Sequence, residues 1–332
     1  MTVIHGIEID CIHYIPNDIK DAIRHNKPIE QKLHVVIMIS NPCLYARRYM
    51  LAREFIERTE KERDVELYVV EIAYKSQQFY VTDEHNTNHL QVRADIPLWA
   101  KENALNMGIK TLLPKSWKAV AWIDADVEFD NIHWASDTLK VLNGTRDIVQ
   151  LFGHAIDLDA NQDAMNVFSG FGYQYAHQRK YKHGGKTDRI FHPGFAWACT
   201  REYYEKVGNL FEMSILGSGD HNMALAWLGH GEKSLNENVS DGYKRSILEF
   251  QEKSKDVRIG YVPGIIKHYF HGTKKNRGYA TRWMVLVKHQ YDPYVHMTSR
   301  EDGLIIPTEE CPQELLNDIL TYFKQRNEDE FQ

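Results

Sequence analysis

The stretch Trp122-Ile123-Asp124-Ala125-Asp126-Val127-Glu128-Phe129 sets how the rest of the chain is read. The run before it, Ala119 to Ile123, is apolar, with β-branched residues and a Trp, and predicts a short strand buried inside a parallel sheet. Two carboxylates then stand where that strand ends. In an open α/β sheet the crevice beyond the carboxyl ends of the strands is where ligands bind, and a pair of acids there does little for stability. Spaced i, i+2, both reach one point only where the strand has given way to a turn. Neither has a cationic neighbour in sequence, so a divalent ion is the simplest way to keep both ionised; Mg2+ and Mn2+ take carboxylate oxygens together with substrate phosphates. Asp-x-Asp also occurs in ordinary solvated turns, and the strand-end position is what singles out this copy. A second acidic run, Asp157-Leu158-Asp159-Ala160-Asn161-Gln162-Asp163, begins like a calcium loop, but Gln162 stands where the turn needs Gly and Phe168 where the bidentate Glu belongs. It predicts an ordinary polar loop.

At 332 residues, 43% hydrophobic and 26% charged, the chain can bury one large α/β core or two smaller ones. A formal net charge of -6 disfavours nucleic acid and anionic membranes as partners. No apolar run reaches the length of a spanning helix, and the start lacks the basic and apolar regions of a signal peptide, so a cytoplasmic location is expected. Cys11, Cys43, Cys199 and Cys311 lie far apart, which argues against zinc and a disulfide scaffold and fits a reducing compartment.

Residues 1 to about 32 read as an N-terminal extension, with strand-like alternation at Ile7, Ile9 and Cys11 and a helical turn or two from Asn17 to His25. Leu33 to Ser40 is the first strong buried strand, ended by Ser40-Asn41-Pro42. Leu44 to about Glu62 carries its apolar residues on one helical face, and Val65 to Ala73 is the next strand, so the three form a parallel βαβ unit. Asn88 to Asp95 reads as a strand and Pro97 opens a helix whose Leu98, Leu105 and Ile109 face the sheet. Lys101 and Asn103 are off that face, either solvated or pointing over the cleft. Trp134 to Leu142 is a helix and Asp147 to Phe152 a strand. Tyr173 to Lys186 has no core periodicity and predicts a long surface loop of the kind that serves as a lid. His192-Pro193-Gly194-Phe195-Ala196-Trp197 follows, then Gly217-Ser218-Gly219-Asp220 at the start of a helix to about Leu228. Ile259 to Pro263 is a late strand, trailed by His268-Tyr269-Phe270-His271-Gly272 and the basic run Lys274-Lys275-Asn276-Arg277. Helices are expected over Thr281 to about Tyr291 and Gln313 to about Gln325, the last running into an acidic tail. The working division is an N-terminal extension at 1–32, a first half at 33–146, a second half at 147–290 and a C-terminal helix and tail at 291–332.

Three features in this order, Asp-x-Asp after a βαβ half, Gly-x-Gly-Asp at a helix start, and His-x-x-His-Gly before basic residues, resemble the metal-dependent nucleotide-sugar glycosyltransferases of the GT-A fold. The likeness covers roughly residues 33 to 290 as a pattern of elements. It implies a Rossmann-type α/β fold, a mixed and mostly parallel sheet flanked by helices in one large domain, with a helical C-terminal extension. It also implies Mn2+ or Mg2+ held by Asp124 and Asp126, with one of His268 and His271 as a further ligand. The rim Ser40-Asn41-Pro42 would hold the nucleotide of a UDP- or GDP-sugar. Gly-Ser-Gly-Asp-His departs from the galactosyltransferase-like pattern, in which a paired acid is expected.

The chemistry runs the same way. Cleaving a sugar from a nucleoside diphosphate puts negative charge on the leaving phosphate, where a cation and basic side chains belong; Lys101, Lys274, Lys275, Arg277 and Arg282 are candidates. An acceptor hydroxyl must lose a proton, and Asp220 is the chosen base, with helix capping as its other role. In-line attack would invert the anomeric centre. His192, Phe195 and Trp197 are assigned to the side of a glycan or glycoconjugate acceptor, with plain packing explaining the two aromatics equally well. Two alternatives stand: a sugar nucleotidyltransferase, disfavoured because Asn41-Pro42-Cys43-Leu44 replaces a Gly-rich phosphate loop, and an inactive carbohydrate- or nucleotide-binding protein of the same fold.

Overall fold

The structure, a computed structural model, describes residues 3–4, 7–8, 18–177, 191–279 and 281–330. Two short strands, Val3–Ile4 (β1) and Ile7–Glu8 (β2), pair with each other, and the helix Asp18–His25 (α1) buries Ile19 and Ala22. Then come Leu33–Ser40 (β3), Ala46–Thr59 (α2), Val65–Tyr74 (β4), His89–Ala94 (β5), Lys101–Thr111 (α3), Ala119–Ile123 (β6), Val127–Phe129 (β7) and Trp134–Leu142 (α4). The middle of the chain gives Ile148–Gln150 (β8), His154–Leu158 (β9), Ala164–Ser169 (β10), Phe171–Ala176 (α5), Ala196–Thr200 (β11), Arg201–Val207 (α6), Gly219–Trp227 (α7) and Asp241–Lys253 (α8). It closes with Ile259–Tyr261 (β12), Ile265–His268 (β13), Met284–Lys288 (α9), Pro293–His296 (α10), Met297–Ser299 (β14), Ile305–Pro307 (β15) and Gln313–Gln325 (α11).

Seven strands form one sheet in the order β12-β8-β11-β6-β3-β4-β5, in which only β11 runs against the rest. Alternation along β3 divides the core: Val35, Ile37 and Ile39 face one side with Phe55, Trp134 and Leu139, while Val36 faces the other with Val70, Leu105 and Trp197. The second face also takes Leu315, Leu316 and Ile319 of α11, so the C-terminal helix belongs to the same core as the βαβ half. A smaller sheet, β10-β9-β13-β7, branches off where the chain leaves β6 through Asp124-Ala125-Asp126.

Several sequence expectations need correction. The helix opened by Pro97 starts at Lys101, and the one expected over Thr281 to Tyr291 is regular only at α9. Tyr173 to Ala176 lies in α5 rather than in a loop, while residues 178 to 186 of the expected lid lie outside the described residues, as do Ile9, Cys11 and Asn17. Asp157 and Leu158 are not loop residues but the end of β9, Asp157 in register with His268 of β13 and Leu158 with Ala164 of β10.

Candidate active site

The small sheet brings the acids and histidines together. In β13, His268 is in register with Val127 of β7 on one side and Asp157 of β9 on the other, so it stands between Asp126 and Asp157, and the Tyr269 amide donates to the Asp126 carbonyl at 2.9 Å. His271 follows three residues later, in irregular chain beyond the strand. Next to it Gly272 sits at φ +83, where a Cβ would come within 3.0 Å of the Asn327 carbonyl, so only glycine lets the C-terminal segment lie this close.

Asp126 Oδ2 is 3.0 Å from His271 Nε2 and 3.8 Å from His268 Nε2, and the two Nε2 atoms are 3.3 Å apart. These three ligand atoms lie within 4.8 Å of one another. Each ring offers its other nitrogen to a carboxylate: His268 Nδ1 to Asp157 at 2.6 Å and His271 Nδ1 to Glu328 at 3.6 Å. The Asp157 contact is a hydrogen bond that fixes the His268 tautomer with Nε2 free to ligate, while Glu328 places a negative charge on the corresponding side of His271 without a hydrogen bond. Asp126 Oδ1 is buried and has no hydrogen-bond partner among the described residues, an unmet acceptor in a place where a cation would meet it. A carboxylate with two neutral imidazoles is a donor set for a transition-metal dication, and the residues present fit one. Burial works against the Asp126 carboxylate, yet His268 and His271 hold its pKa well below the usual value. Burial lowers His271, with Arg277 adding to it; at His268 burial is outweighed by Asp126 and Asp157, and the pKa is raised.

Asp124 turns the other way. Its amide donates to the Phe195 carbonyl at 2.7 Å, and its carboxylate pairs with Lys101 from the first turn of α3. Burial raises the Asp124 pKa, opposed by Lys101. Phe195 is held at φ +77, a conformation unusual for a side chain of that size, with its ring stacked on His192 at 4.0 Å and 4.7 Å from that of His268. Burial pushes His192 down to about 4, so its ring is neutral near pH 7.

Asp220 lies in the first turn of α7, where the helix dipole favours an anion. The helix cap itself is Ser218, held at φ +75 by Arg282 and Trp283 on its hydroxyl, so Asp220 does not serve as the cap. Its Oδ1 accepts from the His221 amide at 2.8 Å, and its Oδ2 rests where a Cβ on Gly194 would be. On the far side of the same turn, a Cβ on Gly219 would collide with the carboxyl of Glu102. Glu102 is 3% exposed, and burial pushes it up to about 7 against the pull of Lys101.

These groups line one cavity of about 650 Å3. Ser40, Lys101, Asp124, Asp126, His268 and His271 face it, as do His192, Phe195, Asp220, Lys274 and Arg277. Asn41, Pro42 and Trp197 do not. The Asn41 side chain is spent on both backbone groups of Tyr45, at 3.0 and 2.8 Å, just ahead of α2, so the nucleotide rim reduces to Ser40. Trp197 is 1% exposed in the middle of β11 and packs on Trp227, which removes it from any acceptor surface. Lys274 pairs with Asp157 beneath the cluster; Arg277 and Arg282 are buried, and the Nε of each lacks a hydrogen-bond partner among the described residues.

Sequence reasoning missed Asp157, Glu328 and Glu102. The first two lie more than fifty positions from the histidines they hold, and nothing local marks them. Glu102 had a signal: with Leu98, Leu105 and Ile109 it falls on one stripe at spacings of four, three and four, a carboxyl on the buried face.

No family profile matches the chain, and no curated protein matches its sequence. Solved structures with a similar fold include a mannosyltransferase from Pyrobaculum calidifontis in complex with GDP-Man and Mn2+, with a TM-score of 0.39 and 13% identity over 81% of this chain and 68% of that one. Another is the catalytic domain of Drosophila beta1,4galactosyltransferase 7 in complex with xylobiose, with a TM-score of 0.30 and 10% identity over 61% of this chain and 63% of that one. A third is the 4-diphosphocytidyl-2C-methyl-D-erythritol synthase of Anaerococcus prevotii, with a TM-score of 0.34 and 10% identity over 88% of this chain and 97% of that one. Likenesses this loose transfer no residue role. No helix of the described residues is long and apolar enough to cross a membrane.

Proposed function

We propose that the chain is a divalent-metal-dependent glycosyltransferase that moves a sugar from a nucleoside-diphosphate sugar to a hydroxyl of a glycan or glycoconjugate. The observation that carries this reading is the convergence of Asp126 Oδ2, His268 Nε2 and His271 Nε2 within 4.8 Å, on the wall of a cavity that also holds Lys274, Arg277 and Asp220. A cation bound there supplies positive charge to a diphosphate leaving group. Two imidazoles among three ligands favour Mn2+ over Mg2+, which prefers oxygen. Lys274 and Arg277 flank the cluster and take the phosphate oxygens. Asp124, already paired with Lys101, is left to orient donor hydroxyls. His192 and Phe195 present a flat, neutral stacked face to a sugar ring. Asp220 accepts the acceptor's proton, and attack in line with the departing phosphate inverts the anomeric centre.

The test is a panel of UDP- and GDP-sugars with Mn2+, reading released nucleoside diphosphate. Turnover of at least one donor, lost in Asp126→Asn and in His271→Ala, is expected. If Mn2+ and nucleotide bind together while no donor is turned over with any acceptor tried, the protein is a binder and the transferase reading fails.

A further inference from the structure

A Glu is almost never fully buried unless it is paired. Here Arg326 and Glu328, just beyond α11, are 4% and 2% exposed. Glu328 Oε1 lies 2.5 Å from both Arg48 Nη2 and Arg326 Nε, and its Oε2 lies 2.8 Å from Arg48 Nε and 3.6 Å from His271 Nδ1. Burial opposes that carboxylate, but Arg48 and Arg326 hold it ionised, with a pKa well below the usual range. The segment is pinned at its flanks as well. Tyr45 Oη donates to the Lys324 carbonyl at 2.9 Å and accepts from the Asn327 amide at 3.1 Å, and the Asp329 carboxylate accepts from the Ala46 and Arg47 amides at the start of α2. From Arg326 the buried network continues through Tyr322 Oη, which accepts from Arg326 at 3.1 Å and from Arg282 at 3.0 Å, and Arg282 reaches Ser218, two residues before Asp220.

We propose that this C-terminal strap is part of the metal-binding machinery, with Glu328 as the positioning residue that turns His271 Nε2 toward the cation, as Asp157 turns His268. The inference rests on the metal site proposed above. Glu328 already has both arginines as partners, yet its Oε2, held by Arg48, also stands 3.6 Å from His271 Nδ1, an approach of strap to ligand that the glycine at 272 permits. Through Tyr322 and Arg282 the same strap ties the ligand to the turn that carries Asp220.

The test is titration of the metal-free protein with Mn2+ by calorimetry, and with Co2+ by visible absorption, which reports the ligand geometry. Loss of the carboxylate behind a ligating His typically costs about 10- to 100-fold in metal affinity, so Glu328→Gln is expected to weaken Mn2+ by that factor and to alter the Co2+ spectrum. Tyr45→Phe loosens the strap without touching a ligand and is expected to weaken Mn2+ in the same direction; it decides the matter alone if Glu328→Gln does not fold. Wild-type Mn2+ affinity and Co2+ spectrum in the folded variants, with at most a lower melting temperature of the metal-free protein, would mark a purely structural strap and overturn the inference. Failure of the wild type to bind Mn2+ would instead remove the metal site itself, and the inference with it.

Discussion

Replacing Glu102 by Gln should stabilise the protein, and far more at pH 8 than at pH 5. The carboxyl, at 4.5 when free, is pushed up to about 7 by burial, with Lys101 acting against the shift. The folded state therefore binds this proton more tightly than the unfolded chain does, and stability falls as pH rises from about 4.5 to about 7. At about 1.4 kcal/mol per tenfold change in the proton equilibrium, the wild type loses about 3 kcal/mol by pH 8 and under about 1 kcal/mol by pH 5. Glutamine copies the neutral acid and has no proton to lose. Urea unfolding of the metal-free protein by linear extrapolation, at pH 5 and pH 8, measures both gaps. A Glu102→Gln advantage of the same size at the two pH values, or none at pH 8, would refute the reasoning. The group sits under Gly219, directly behind the turn that carries Asp220.

Three further outcomes are expected. Asp220→Asn should lower kcat by about 100- to 10,000-fold with Mn2+ affinity unchanged; full activity would leave Asp220 a helix-end residue only. Gly194→Ala places a methyl against Asp220 Oδ2 and within 3.0 Å of His192 Cε1, so steady-state kinetics should show a fall in kcat with Mn2+ affinity kept, and wild-type kinetics would contradict that contact. Trp197→Leu should cost about 3 kcal/mol in urea unfolding and leave the acceptor KM unchanged; a raised KM without lost stability would put Trp197 back at the acceptor.

The parts of the fold that sequence revealed were those with strong local signals. The largely apolar runs at 33–40 and 65–73 and the one-sided helix between them specify a βαβ unit, and α4 and α11 begin and end at the residues their periodicity indicates. Asp126, His268 and His271 were also legible, because a short acidic motif and a His-x-x-His each follow a recognisable strand. What was not legible was direction. Asp-x-Asp reads as a pair aimed at one ion, but Lys101, more than twenty residues earlier, takes Asp124 for itself. Asp157 was placed in a loop because β9 is too short and polar to announce itself, and its pairing with β13 spans more than one hundred residues. The burial of Glu328 in the acidic tail was not legible either, because nothing in its sequence shows that Arg48, Arg326 and His271 surround it.

The site proposed here stands or falls on Mn2+ binding, measured by calorimetry in the presence of UDP or GDP, for the wild type, His271→Ala and Asp124→Asn. One bound ion in the wild type, its affinity largely lost in His271→Ala and mostly kept in Asp124→Asn, is the predicted pattern. Undiminished binding to His271→Ala, with the loss falling on Asp124→Asn, would place the ion between the two aspartates and contradict the Asp126, His268 and His271 cluster as its seat.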